Sequence, residues 1–278
     1  MILTFRRYGR LGNRLFIFAH LMAFAELHGV NITNFSFTEF RSQFPFFSTR
    51  RWCTYVPTWN PPKAGKERII LARIGALLGR IPTVRFWGER DIVFDGENES
   101  DPRVAVMRSA SSVIFEGWKF RSRTIIQQIM PQIREVFSPR VELAEMANLR
   151  LIEARQRGDI VVGVHVRWED YRGTPYFFTL PEFGRELSKI ESFFAPAKVA
   201  FIICSPERLD PSLFSNNCVV VLPESVVADL CTLAACDYIL GPPSTFSGWA
   251  SFYGGKPLFT MQHVKGVSDI GQAEIVRW

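Results

Sequence analysis

Three short stretches of this chain carry residues whose types and spacing suit chemistry. The first is Gly9-Arg10-Leu11-Gly12-Asn13-Arg14, a glycine turn holding an amide and two guanidiniums. Between a strand and a helix, such a turn can aim backbone N–H groups and side-chain donors at an anion. It lacks the G-x-G-x-x-G spacing, so as a bare pattern it is equally a structural turn. The second is His165-Val166-Arg167-Trp168-Glu169-Asp170-Tyr171, which follows directly on the apolar run from Ile160. In open α/β sheets ligands bind beyond the carboxyl ends of strands, where these residues emerge. Arg167 and Asp170 serve there either a ligand or an ion pair that caps a helix. The third comprises Asp229-Leu230 and the stretch from Cys236 to Trp249, with Ser244, Thr245 and Phe246 opening a helix. Its hydroxyls read as an ordinary N-cap or, with free N–H groups beside them, as a diphosphate cradle.

The elements that must position these residues can be read in order. Met1–Phe5 is a short apolar strand, a helix runs from the glycine turn to about His28, and Gly29 ends it. Asn31–Phe37 is a second strand, so the chain opens like a βαβ unit. Residues 38–68 lack a clean period, and Asp95–Pro102 reads as an acidic surface loop. Val113–Phe115 is a strand, Gly117-Trp118 a turn, and Thr124–Phe137 a helical stretch interrupted by Pro131 and stopped by Pro139. Glu142–Arg157 is a helix and Ile160–Val166 a buried strand. Helices at Pro181–Phe194, Ser225–Ala235 and from Ser244 then alternate with strands at Lys198–Cys204, Val219–Leu222, Tyr238–Gly241 and Pro257–Met261. That alternation predicts parallel sheets with helices on their faces, divided near Gly158, with the last residues returning to the first domain. No internal repeat is visible.

Composition bounds what this scaffold does. Of 278 residues, 47% are apolar, 22% charged and 14% aromatic, which excludes disordered, collagen-like and low-complexity classes. The net charge of +6 comes from 26 Arg and 7 Lys. The guanidinium fork matches phosphate bidentately, so the bias suits a phosphorylated ligand, a nucleic acid, an anionic membrane or simply a solvated basic face. No RNA-recognition or helix-turn-helix signature is present, and nucleic acid is not an expected partner. Cys53, Cys204, Cys218, Cys231 and Cys236 form no C-x-x-C pair and have no His at zinc-like spacing, so no metal is expected. Their odd number, inside apolar runs, fits buried thiols in a reducing compartment, and a cytoplasmic location is expected. The N-terminus offers no signal-peptide h-region, and Leu15–Ala25, which contains His20, is shorter than the ~20 residues of a spanning helix.

Taken in order, GRLGNRLF, FEGWKF with the later IREVF, HVRWEDY and DLCTLAACDYILGPPSTFSGWASF resemble the α-1,2-fucosyltransferases of glycosyltransferase family 11. That family carries GLGNQ-like, GYWQS-like, H-x-R-x-G-D-Y-like and NSSFSWW-like segments in this order and at comparable spacing. The resemblance runs from Gly9 to about Trp249 and covers residues 38–110 poorly.

The resemblance implies a GT-B-like α/β fold of two Rossmann-like domains with mainly parallel sheets, an acceptor-side domain over 1–157 and a nucleotide-sugar domain over 158–278. It implies inverting, metal-independent transfer of fucose from GDP-fucose to a glycan hydroxyl, with no cofactor besides the donor substrate. Carried over residue by residue, Arg167 would hold the diphosphate, His165 the nucleoside and Asp229 the base. Ser244, Thr245 and Phe246 would line the phosphates, while Asn13, in the turn with Arg10 and Gly12, would reach the donor from the opposite domain. Asp170 is the motif-matched carboxylate and is either the general base or the partner that orients Arg167; Glu116 and Asp91 are further candidates for the base. Trp168 stands where a second basic residue is common, Glu169 where Gly is usual, and Gly241-Pro242-Pro243 where polar residues precede the serines. Phe201–Glu207 likewise lacks the usual Ser-Asp-Asp character. Another GDP-sugar, or a nucleotide- or glycan-binding protein without turnover, are the alternatives these departures leave. With a lipid-linked acceptor, the Arg-rich surface would hold the enzyme peripherally on an anionic membrane.

Overall fold

In the first unit the apolar residues of β1 (Ile2–Thr4) are buried on both faces, which makes it an interior strand. The computed structural model describes residues 1–48, 53–54, 81–88, 90–95, 101–168, 171–263 and 266–277. The chain divides into two units, Met1–Ser138 and Pro139–Arg277. In the first, β1 is followed by α1 (Leu11–His28), β2 (Ile32–Asn34), β3 (Cys53–Thr54), β4 (Thr83–Phe86), β5 (Ile92–Val93) and α2 (Pro102–Ser109). β6 (Val113–Gly117), β7 (Phe120–Arg121), α3 (Ile125–Gln128) and α4 (Met130–Val136) complete it. Its main sheet is parallel, in the order β3-β2-β1-β6-β4, and β5 pairs with β7 as a separate parallel ribbon.

The sequence places the end of α1 correctly because that end is chemical: Gly29 takes the left-handed conformation, φ 64°, and its N–H closes on the Ala25 carbonyl. Between Leu15 and Ala25 every side of α1 is buried, against a phenylalanine cluster that includes Phe37, Phe94, Phe120 and Phe137. His20 fits there as a neutral ring: burial pushes its pKa well down, and its Nδ1 accepts from the Ser122 backbone N–H at 2.9 Å.

β4 and α2 are not legible in the sequence. β4 has four residues, with exposed Arg85 between buried Val84 and Phe86, too short a run for a period. Of the expected acidic loop at 95–102, residues 96–100 lie outside the described residues, and its last two residues open α2 instead. Asp101 caps α2 by accepting from the Arg103 N–H at 2.9 Å, with Pro102 at the first helical position. Asp95, partly buried, anchors the next helix start, accepting from Ser122 Oγ (2.5 Å), the N–H groups of Arg123, Thr124 and Ile125 (2.7–2.9 Å) and Thr124 Oγ1 (2.8 Å).

The second unit comprises α5 (Val141–Arg155), β8 (Ile160–His165), α6 (Leu180–Phe194), β9 (Val199–Cys204), β10 (Cys218–Val220), α7 (Val226–Ala235), β11 (Tyr238–Gly241), α8 (Thr245–Gly254) and β12 (Leu258–Thr260). Its sheet is wholly parallel, in the order β10-β9-β8-β11-β12. β8 and β9 are central and buried on both faces, as their unbroken apolar runs require. The expected division after 157 falls beyond α5, which packs on α7 and β9 and so lies with the second unit. Glu274 bridges Leu258 of β12 in antiparallel fashion, so the described C-terminal residues up to Arg277 also stay with that unit rather than returning to the first. Cys204, Cys218, Cys231 and Cys236 are free thiols, and burial pushes Cys231 and Cys236 up to about 12.

Burial raises the Asp95 pKa, but the Ser122 hydroxyl and the three amides outweigh it and hold the carboxyl well below the usual range. A depressed folded pKa contributes stability above the unfolded carboxylate range that is lost as pH falls through it. Asp95→Asn should therefore cost about 1–2 kcal/mol at neutral pH, allowing for partial exposure. The gap from the parent should close as pH drops below about 4, measured by urea unfolding at both pH values.

Candidate functional site

In the second unit the parallel sheet turns one edge, the carboxyl ends of β8, β9 and β11, toward the starts of α6, α7 and α8. The register sets who meets whom there. Leu240 pairs with Val164, which puts Gly241 beside His165 at the strand ends. A Cβ at Gly241 would lie 2.8 Å from Ser247 Oγ and 3.2 Å from His165 Cβ, so the missing side chain is what lets these two approach. His165 Nδ1 and Ser247 Oγ then share a buried hydrogen bond of 2.9 Å. The Phe246 ring packs on the imidazole with centroids 4.9 Å apart. Ser244 is the N-cap of α8, its Oγ accepting from the Phe246 N–H at 3.1 Å, and Thr245 is the first helical residue.

The structure thus brings His165, Ser244, Thr245 and Phe246 to one strand end, and adds Ser247, which the sequence reading left out. A hydroxyl one turn into a capped helix carries no signal of its own; the register across β8 and β11 is what makes it a partner. Arg167, just beyond β8, is half-buried and lies 4.6 Å over the Tyr171 ring. Trp168 has structural partners of its own. Its N–H donates to Glu207 Oε1 at 3.1 Å and its indole to the Phe178 carbonyl at 2.9 Å, pegging the loop after β8 to the core. Glu207 also accepts from Ser205 Oγ at 2.7 Å, so this carboxylate after β9, unremarked in the sequence, braces the neighbouring loop. Asp170 and Glu169 lie outside the described residues.

Asp229, in the first turn of α7, is buried and pairs with Arg150 of α5, Oδ1 to guanidinium 2.9 Å; the same nitrogen reaches Thr232 Oγ1 at 3.1 Å. Arg150 sits 79 positions away in sequence, among the other charges of α5, and nothing local marks it. Burial pushes the Asp229 carboxyl up to about 6 even though the Arg150 guanidinium pulls the other way.

In the first unit Gly9 holds φ 60°, and a Cβ there would collide with the Asn13 amide, so glycine is required for that side chain to lie across the turn. Gly12 is buried within α1, and exposed Arg10 is its N-cap residue without a side-chain cap. The expectation that both guanidiniums of this turn face an anion is corrected for Arg14. Its Nε and terminal nitrogen donate to the Gly9 carbonyl at 3.2 and 3.1 Å, and it pairs with Glu39, which Arg7 also grips at 2.9 Å. The turn uses that charge to close itself. Of the two carboxylates proposed from this unit, Glu116 pairs with Arg85 at 2.9 Å, and Asp91 faces Lys119 at 3.4 Å and Arg121 at 3.8 Å. Among the described residues no group of three His, Cys, Asp or Glu could hold a metal, and no helix is long and apolar enough to cross a membrane.

No protein-family model and no curated protein matches the chain. Solved structures do match its fold. A mutant of Arabidopsis thaliana FUT1 in complex with GDP superposes with a TM-score of 0.59 at 12% identity, covering 98% of this chain and 73% of that one. NodZ α-1,6-fucosyltransferase soaked with GDP-fucose gives 0.58 at 17% identity, over 96% and 97%. POFUT1 in complex with GDP gives 0.56 at 11%, over 90% and 93%. This chain has the mainly parallel α/β fold of those proteins.

A raised folded pKa means that Asp229's share of stability is present at low pH and lost as pH rises through about 6. Its carboxyl carbon resonance should accordingly titrate near pH 6, and Arg150→Met should move the midpoint higher by removing the attraction to the charged form. A midpoint in the ordinary range near ~4 would contradict the burial argument.

Proposed function

We propose that the chain is an inverting fucosyltransferase that moves fucose from GDP-fucose to a glycan hydroxyl, with the α-1,2 linkage its family resemblance implies. The reading rests on one observation: His165 at the end of β8, two residues before Arg167, meets the Ser244–Ser247 start of α8. The fold shared with proteins solved with GDP or GDP-fucose supports it, although NodZ, an α-1,6 enzyme, shares that fold too, so the linkage rests on the motifs alone.

On this reading the acceptor oxygen attacks the anomeric carbon from the face opposite GDP, the bond to the β-phosphate oxygen breaks, and configuration inverts. The departing diphosphate gains negative charge, which must be met by fixed positive groups. Arg167 supplies a full charge, worth about 1.5–3 kcal/mol in a charge-assisted hydrogen bond. The amino end of α8 supplies a partial one, about 0.3–1 kcal/mol. The arginine therefore carries more of the load, and no metal is needed. His165, held through Nδ1 by Ser247, is assigned to the nucleoside, and Asp229 to the base. Within the first unit, Arg10, Gly12 and Asn13 keep the substrate-binding role that the resemblance implies. Asp170 is assigned as base or as the group that orients Arg167.

Arg167→Ala should weaken GDP binding roughly 10- to 100-fold. It should slow transfer or donor hydrolysis by about 10²–10³ with an unchanged melting curve. Equilibrium dialysis with labelled GDP checks the first effect, and unaltered affinity would remove the arginine from the phosphate site.

A further inference from the structure

Two tryptophans stand at the carboxyl end of the first unit's sheet, partly in water: Trp87 is 38% and Trp118 41% exposed. Strand register makes them neighbours. Phe86 of β4 pairs with Gly117 of β6, and the Trp118 N–H donates to the Phe86 carbonyl at 3.2 Å. Gly117 holds φ 125°, and a Cβ there would run into the Phe86 backbone, so glycine both closes the strands and turns Trp118 beside Trp87. The two indoles lie 6.1 Å apart at 63°. Tyr8, from the loop after the adjacent β1, is buried beneath them, edge-on to Trp87 at 5.1 Å. The Arg6 guanidinium sits 5.6 Å from the Tyr8 ring and 5.4 Å from that of Trp87. One step back in register, Arg85 pairs with Glu116, and Glu116, Arg6 and Arg85 all act electrostatically on Tyr8.

Part of each indole packs over Tyr8, yet about two-fifths of each stays in water, while Phe86 and Phe115 fill the core of the sheet. An aromatic surface rimmed by charge marks a place for an occupant with an apolar face and polar edges. Rings at 63° make a corner rather than a parallel slot, which suits a thick pyranose better than a flat base. A guanidinium paired with a carboxylate offers a donor and an acceptor to neighbouring hydroxyls. We propose that Trp87 and Trp118, backed by Tyr8 and rimmed by Arg6, Arg85 and Glu116, form a saccharide platform that seats the acceptor by the C–H face of one sugar ring. The assignment of the occupant as acceptor rests on the transferase reading above.

The test titrates the full chain with chitotetraose and cellotetraose, reading tryptophan fluorescence and saturation-transfer NMR, alongside a separate GDP titration. The platform predicts that at least one oligosaccharide binds the parent, that Trp118→Ala and Trp87→Ala weaken it roughly tenfold, and that Trp118→Phe restores part of the loss. GDP affinity should not move in these variants. The proposal is overturned if neither oligosaccharide binds the parent or if the variants bind it equally well. Loss of GDP binding in their place, which would make the corner a nucleobase site, overturns it too. Tryptophan-dependent saccharide binding in a parent that binds no GDP would keep the platform and sink the donor reading instead.

Discussion

Everything at the proposed donor edge depends on the register between β8 and β11. With Leu240 opposite Val164, the side-chain-free Gly241 lies beside His165, and Ser247 reaches the imidazole from the first turn of α8. A slip by one residue would turn His165 to the other face of the sheet and replace it at that place with Val164 or Val166. That register is held by burial, since Val162, Val164, Ile239 and Leu240 are inaccessible. Each such side chain is worth about 1.5–3 kcal/mol relative to exposure, more than the single hydrogen bond that uses the resulting geometry. The site is a by-product of core packing and is rigid for that reason.

The Asp229–Arg150 pair shows a second way in which the core decides local chemistry. Both side chains are nearly buried, so desolvation opposes their attraction, and for Asp229 desolvation prevails. Breaking such a pair from one side leaves an uncompensated charge, a cost of about 3–5 kcal/mol. The pair therefore helps tie α5 to α7 within the second unit, and its buried carboxyl changes charge near pH 6.

The second unit was legible in the sequence because its central strands are buried and two of its helices have chemical ends: unbroken apolar runs at Ile160–Val164 and Val199–Cys204, and serine caps at Ser225 and Ser244. In the first unit β1, α1, β2, β6 and the helical stretch broken near Pro131 into α3 and α4 were legible too. β4 failed for want of length, and α2 because Asp101-Pro102 reads as a turn and as a helix start alike. At the site, His165, Arg167 and the Ser244 turn could be picked out because each adjoins a strand end. Ser247, Arg150 and Glu207 could not, since their roles come from partners 82, 79 and 39 positions away, and pairing at that distance is written in topology and not in any local pattern.

The central claim is that the carboxyl edge of the second unit's sheet binds a guanosine diphosphate sugar without metal. Isothermal titration of the chain with GDP, GDP-fucose, GDP-mannose and UDP in the presence of a chelator tests it most directly. The account predicts dissociation constants of about 1–100 μM for GDP and GDP-fucose, in the range usual for enzyme substrates, with GDP-fucose preferred over GDP-mannose and no measurable heat from UDP. Equal binding of UDP, or no heat from any nucleotide, would contradict it.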